Sequence, residues 1–254
     1  VKKAGVLLIH GFGGNISEVR PMADFLAKRG FKTLCPKLDG HTGNRKDFAQ
    51  SRYKGWIKSA EIGFKELKSE CEEIIIVGFS MGGLIGVNLA AKHKVIALGT
   101  LSTPIYCLNS KRILGNIKGD VLKFFKGLCN KASDKNTYEQ NSRQQKNGQR
   151  GNVNSYLQAI RVTPISAFLS FTKLLRLTKP LFGKINCPIF IAQGLKDDAV
   201  SKESAEYIYN SVSSKKKRIK YYENSSHMIC SDIDSRKVFS DFKAFIDEVC
   251  DLKM

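Results

Sequence analysis

The stretch Gly78-Phe79-Ser80-Met81-Gly82-Gly83 lies between two apolar runs of different period, "EEIIIVG" before it and "LIGVNLAAKH" after it. The first run is short and uninterrupted, as in a strand buried on both faces, and the second returns to helical spacing. A serine in Gly-x-Ser-x-Gly between strand and helix has the context of a nucleophile elbow. A hydroxyl aimed out of a sheet needs a sharp turn through unfavourable backbone angles, with no side chains where strand and helix pack closely. Gly78 and Gly82 supply that room and Gly83 adds to it. Ser80 then stands at a helix N-terminus, whose unpaired N–H groups favour a developing negative charge.

Working outward, short apolar runs alternate with helical stripes. "GVLLIHG", "FKTLCP", "EEIIIVG" and "VIALGTLS" predict strands, with helices over "SEVRPMADFLAKRG" (Ser17 as cap, Gly30 as stop) and "YKGWIKSAEIGFKELKSE". "LDGHTGNRKDF" reads as a long loop. The series is βαβαβ, which implies right-handed crossovers and a mostly parallel, doubly wound α/β sheet with helices on both faces. After Thr103-Pro104 the pattern breaks, and residues 130–155 are almost wholly polar. Alternation resumes with "CPIFIAQG", "SKESAEYIYNSV", "KRIKYYEN" and "DSRKVFSDFKAFIDEVCD". The reading is therefore one domain over 1–254, with 104–165 an inserted cap and Pro164 opening the helix that leads back to the sheet.

A serine hydroxyl at its ordinary pKa is a poor nucleophile and needs a base and a group that orients the base. Of four histidines, His93 ends the helix after Ser80, while His10 in "HGFGG" and His41 in "DGHTGN" read as structural. His227, in the loop "ENSSHMIC" after the last predicted strand, falls on the same sheet edge as Ser80 and is the best base. The chain order serine, acid, histidine points to "QGLKDDAV", where Asp197 and Asp198 are both open to the role. For the oxyanion, the N–H of Met81 follows the nucleophile directly, and that of Phe12 lies in a glycine-flanked turn after the first strand.

Composition bounds the partners. An apolar share of 42% in 254 residues supports a sizeable core, and no run approaches the roughly 18 apolar residues of a spanning helix. The opening "VKKAGVLLIH" is too short in its apolar part for a signal peptide and reads as a strand. The formal charge of +19 favours acidic partners, yet its densest cluster, Lys215 to Arg218, has no interleaved aromatics for base stacking, so specific nucleic-acid binding is not expected. Seven cysteines without a CxxC pair read as reduced thiols of a cytoplasmic protein, and none is flanked as a metal ligand.

Taken together, "GVLLIHGFGGN", "RPMADFLAKRGFKTLCPKLDGHTG", "GWI", "IIIVGFSMGG", "IFIAQGLKDDAV" and "ENSSHMICSD" resemble the α/β-hydrolase serine esterases, in particular bacterial carboxylesterases and monoacylglycerol lipases. The resemblance covers most of the chain outside the cap. It implies an α/β-hydrolase fold with a small helical cap, Ser80 as nucleophile, Asp197 rather than Asp198 as acid, His227 as base, and Phe12 and Met81 as oxyanion donors. It also implies a small-molecule ester substrate and no metal or cofactor. The chain departs from larger relatives in starting almost at the first strand, so a shorter sheet is expected, and its polar 130–155 region carries no specificity over. Other serine chemistry on the same fold (thioester, peptide or carbon–carbon bond hydrolysis) and a non-catalytic ligand- or polyanion-binding role remain the alternatives.

Overall fold

In the computed structural model of the protein, residues 4–106 and 164–249 are described. Among these residues six strands form one sheet: β1 (Ala4–Ile9), β2 (Lys32–Leu34), β3 (Glu73–Phe79), β4 (Ala97–Leu101), β5 (Ile189–Gly194) and β6 (Lys217–Tyr222). Their order is β2-β1-β3-β4-β5-β6, and every pairing is parallel. The order reverses direction beside β1, as a doubly wound sheet requires, so helices cover both faces. The structure thus has the α/β-hydrolase architecture expected from the sequence.

Side-chain alternation along the strands sends one set of residues to each face. Leu7, Ile9, Ile74, Ile76, Leu98, Ile189 and Ile191 join the core on one face, and Val6, Leu8, Ile75, Val77, Phe190 and Ala192 join the core on the other. The first core is closed by α3 (Tyr53–Glu70), α4 (Met81–Ala90), α5 (Ile165–Thr178) and α6 (Glu203–Ser211). The second is closed by α1 (Arg20–Ala27) and α7 (Ser235–Val249). In α3 the buried stripe is Trp56, Ala60, Gly63, Phe64 and Leu67, and in α7 it is Val238, Phe239, Phe242, Phe245 and Ile246. Both follow the 3.6-residue period that one-sided burial demands. By contrast, α4 is buried nearly all round because it lies between the sheet and the neighbouring helices.

Two local readings are refined and a third holds. Ser17 is not a cap: Asn15 accepts from the Ser17 N–H at 2.9 Å and starts a 3-10 turn over Ile16–Glu18, with α1 following. The expected loop after β2 contains a short helix, α2 (Arg45–Gln50), capped by Asn44. Pro164 does open α5. Most of the segment read as a cap, 107–163, lies outside the described residues.

The tightest point is where β3 passes into α4. A Cβ on Gly82 would collide with the carbonyl oxygens of Ile9 and His10, and one on Gly78 with the Gly82 backbone. Gly82→Ala is therefore expected to destabilise the fold by roughly 2–4 kcal/mol in urea unfolding, through overpacking against backbone that cannot give way. Gly183→Ala, whose added methyl comes no closer than 3.9 Å to its nearest neighbour, should stay within about 0.5 kcal/mol.

Candidate active site

Parallel strands bring all their carboxyl ends to one edge of the sheet, and the predicted site residues sit on the loops there. Ser80 follows β3, Asp197 follows β5, His227 follows β6, and Phe12 follows β1. Ser80 adopts φ 51° and ψ −121°, the left-handed region where a residue with a Cβ is strained by about 1–3 kcal/mol. Its N–H donates to Leu101 O at 2.8 Å, and its own carbonyl accepts from Gly83 N–H at 2.9 Å. The elbow is thus held on both sides of the residue that it strains.

Three side chains remote in sequence meet above this edge. His227 Nδ1 lies 2.9 Å from Asp197 Oδ2 and 3.1 Å from Oδ1, while Nε2 lies 3.1 Å from Ser80 Oγ. A carboxylate only accepts, so Nδ1 carries the proton and Nε2 is left to accept from the Ser80 hydroxyl. All three residues are buried. The His227 loop is pinned by Asp232, whose Oδ2 accepts from both the N–H and the hydroxyl of Ser226 at 2.6 Å.

The two adjacent aspartates separate cleanly. Burial pushes the Asp197 carboxyl up, but the His227 imidazole and the N–H groups of Val200 and Ala199 outweigh it and hold the group below the usual range. Gln193 adds a further donor to Asp197 Oδ2 at 2.8 Å. Asp198 points elsewhere, and burial raises its carboxyl, with one oxygen buried and unpartnered among the described residues.

The turn after β1 is braced at alternate peptides. Gly11 N–H donates to Glu18 Oε2 at 2.8 Å, and Gly13 N–H donates to His41 Nε2 at 3.2 Å. Between them the Phe12 N–H meets no acceptor among the described residues. Met81 is the first residue of α4, where the backbone N–H has no partner within the helix. The Phe12 ring packs 5.0 Å from those of Phe48 and Phe171 and 5.7 Å from Trp56, which anchors the turn to the apolar core.

His10 and His41, read from the sequence as structural, each hold neighbouring backbone, and His93 lies three residues past the end of α4 at Ala90. His10 donates from Nδ1 to Gly11 O and accepts the Leu38 N–H on Nε2, and burial lowers its pKa to about 3. His41 donates from Nδ1 to Asp39 O, and burial brings it to about 4. Both are therefore neutral spacers at neutral pH. His93 donates to Glu61 at 2.9 Å and stacks on Phe64.

Sequence reasoning missed Glu18 and Gln193. Gln193 ends a strand in the "AQG" run just before the candidate acids, which is the signal that could have flagged it. Glu18 closes a polar turn and carries no such mark. Burial raises its carboxyl to about 7, against the opposing pull of the Gly11 N–H and of His227. The carboxyl is harder to ionise in the folded chain than in the unfolded one. The resulting cost is absent below its ordinary value of 4.5, grows as pH rises towards about 7, and is full above that. Glu18→Gln should therefore gain stability over the parent between pH 5 and pH 8 by roughly 2–3 kcal/mol in urea titrations. An offset that does not change with pH would contradict this origin.

Residues 1–234 match the family model Hydrolase_4, described as serine aminopeptidase, S33. The chain is 26% identical over 245 residues to a carboxylesterase of Bacillus subtilis (strain 168), covering 96% of this chain and 92% of that protein. It is 30% identical over 236 residues to a thermostable monoacylglycerol lipase of Bacillus sp. (strain H-257), covering 91% and 85% respectively. Among solved structures, one reported for the metagenome-derived lipolytic enzymes LipS and LipT superposes with a TM-score of 0.76 at 22% identity, over 98% of this chain and 95% of the other. With the fold, the elbow and the convergent side chains in place, the chain belongs to the Hydrolase_4 family, a group of α/β-hydrolase enzymes.

Proposed function

We propose that this hydrolase cleaves carboxylic esters of short to medium acyl chains, monoacylglycerols among them, through an acyl-enzyme formed on Ser80. The observation that carries the reading is the unbroken contact Ser80 Oγ to His227 Nε2 at 3.1 Å and His227 Nδ1 to Asp197 at 2.9 Å. His227 Nε2 takes the hydroxyl proton as Oγ attacks the acyl carbonyl, and Asp197 stabilises the imidazolium that forms. The oxyanion is received by the N–H groups of Phe12 and Met81. As the tetrahedral intermediate collapses, the carbon–oxygen bond to the alcohol breaks and His227 returns the proton to the leaving oxygen. Water then attacks the acyl-serine, giving its proton to His227, and the carboxylic acid departs as Ser80 regains its hydrogen.

An ester substrate is favoured by the partly buried rings of Phe12 and Phe171, 5.0 Å apart at the turn after β1, which suit an acyl chain. The names of the two bacterial relatives, a carboxylesterase and a monoacylglycerol lipase, point the same way. The family description also names a peptidase, so amide hydrolysis is the rival to test. Among the described cysteines, Cys35, Cys187 and Cys230 are free thiols, which supports a cytoplasmic setting. No helix among the described residues is long and apolar enough to cross a membrane.

Initial rates on p-nitrophenyl esters from acetate to palmitate, run beside aminoacyl p-nitroanilides, decide the class. Turnover is expected on the esters, with Ser80→Ala losing roughly 10⁴-fold or more while circular dichroism stays parental. Asp197→Asn should lose far more rate than Asp198→Asn. Preference for the anilides would move the substrate class, and the reverse ranking would move the acid.

A further inference from the structure

Among the described residues only two carboxylates are buried, Asp197 and Glu18. The first is surrounded by donors. Glu18 receives the Gly11 N–H, and its carboxyl lies flat against Gly14, where an added Cβ would overlap it. A Cβ on Gly11 would sit 3.2 Å from the same Oε2. Residues 11 to 14 thus fold around one carboxyl group. His227 and the buried thiol of Cys230 are near enough to feel its charge.

An apolar side chain would fill this space without the cost of burying an acid. What it would not do is accept a hydrogen bond from Gly11. Fixing that N–H fixes the rotation of the chain at Gly11, and the next peptide carries the Phe12 N–H. His41 fixes the peptide beyond at Gly13. Glu18 is itself held: it ends the 3-10 turn begun by Asn15, its N–H donates to Asn15 O at 3.1 Å, and α1 follows close behind.

We propose that Glu18 is a positioning residue of the oxyanion site: by accepting the Gly11 N–H it sets the turn so that the Phe12 N–H is aimed at the oxygen that develops charge. The proposal rests on the reading of Ser80 as nucleophile and Phe12 as oxyanion donor. A donor aimed about an ångström away from the oxyanion loses most of its effect, whereas binding of the neutral ester changes little. The effect therefore belongs to kcat rather than KM.

The test compares Glu18→Leu, which has no acceptor, with Glu18→Gln, which keeps a carbonyl oxygen in the same place, on p-nitrophenyl butyrate. Glu18→Leu should lower kcat roughly 10- to 100-fold with KM within about threefold, and weaken an alkyl boronic acid, which forms a tetrahedral adduct, in proportion to kcat. Glu18→Gln should keep kcat within about fivefold of the parent. A Leu variant with parental kcat, a loss confined to KM, or a Gln variant as poor as Leu would each overturn the proposal. Should the Leu variant fail to fold, the Gln variant decides: a drop beyond tenfold, with native circular dichroism, rules the acceptor role out. Ser80→Ala is assayed alongside. If it retains activity, the reading of the whole site fails, whereas if it is dead and Glu18→Leu is not, only the positioning role falls.

Discussion

The turn at Ser80 depends on backbone segments lying closer together than any side chain would permit. Gly82 packs its Cα against the carbonyls that end β1, and Gly78 packs against the first turn of α4. Ser80 is left as the residue that must take up the reversal, at φ 51°. Such strain persists only where the surroundings over-determine it. Here they do so with two backbone hydrogen bonds, a helix buried nearly all round and a neighbouring strand. The elbow also sets everything around it. Because β1 and β3 pair in register up to Ile9 opposite Gly78, the turn carrying Phe12 leaves the sheet beside the one carrying Ser80.

The same low-dielectric edge treats its two buried acids in opposite ways, and the difference lies in the donors. Asp197 has two backbone N–H groups, the Gln193 amide and the His227 imidazole, enough to keep it ionised despite burial. Among the described residues Glu18 has the single Gly11 N–H as its direct donor, and its carboxyl moves up instead. Desolvation is common to both, and compensation decides which form is favoured. A residue that costs stability while it grips a turn beside a candidate site fits the wider pattern in which polar burial is tolerated where geometry is at stake.

Much of this was legible in the sequence because parallel, doubly buried strands leave short unbroken apolar runs. Ile74 to Val77 could hardly be anything but a central strand, and the stripe from Trp56 to Leu67 fixes one face of α3. The convergence of Ser80, Asp197 and His227 followed from topology, since loops at the carboxyl ends of parallel strands share an edge. What was not legible depended on contacts across the chain. Spacing alone does not encode which carboxyl, Asp197 or Asp198, faces the imidazole, and only the family resemblance singled out Asp197. The six-residue α2 is too short and polar to show a period. Glu18 carries no pattern of its own within the predicted helix, and Asn15, not Ser17, caps its turn because the Asn15 side chain accepts the Ser17 N–H.

Labelling with a fluorophosphonate, followed by peptide mass spectrometry, tests the central claim most directly, because the reagent reports a serine activated by its own base. The account predicts a single stoichiometric adduct on Ser80 that is lost or slowed by orders of magnitude in His227→Ala. An adduct on another serine, or labelling of Ser80 at an undiminished rate without the imidazole, would contradict it.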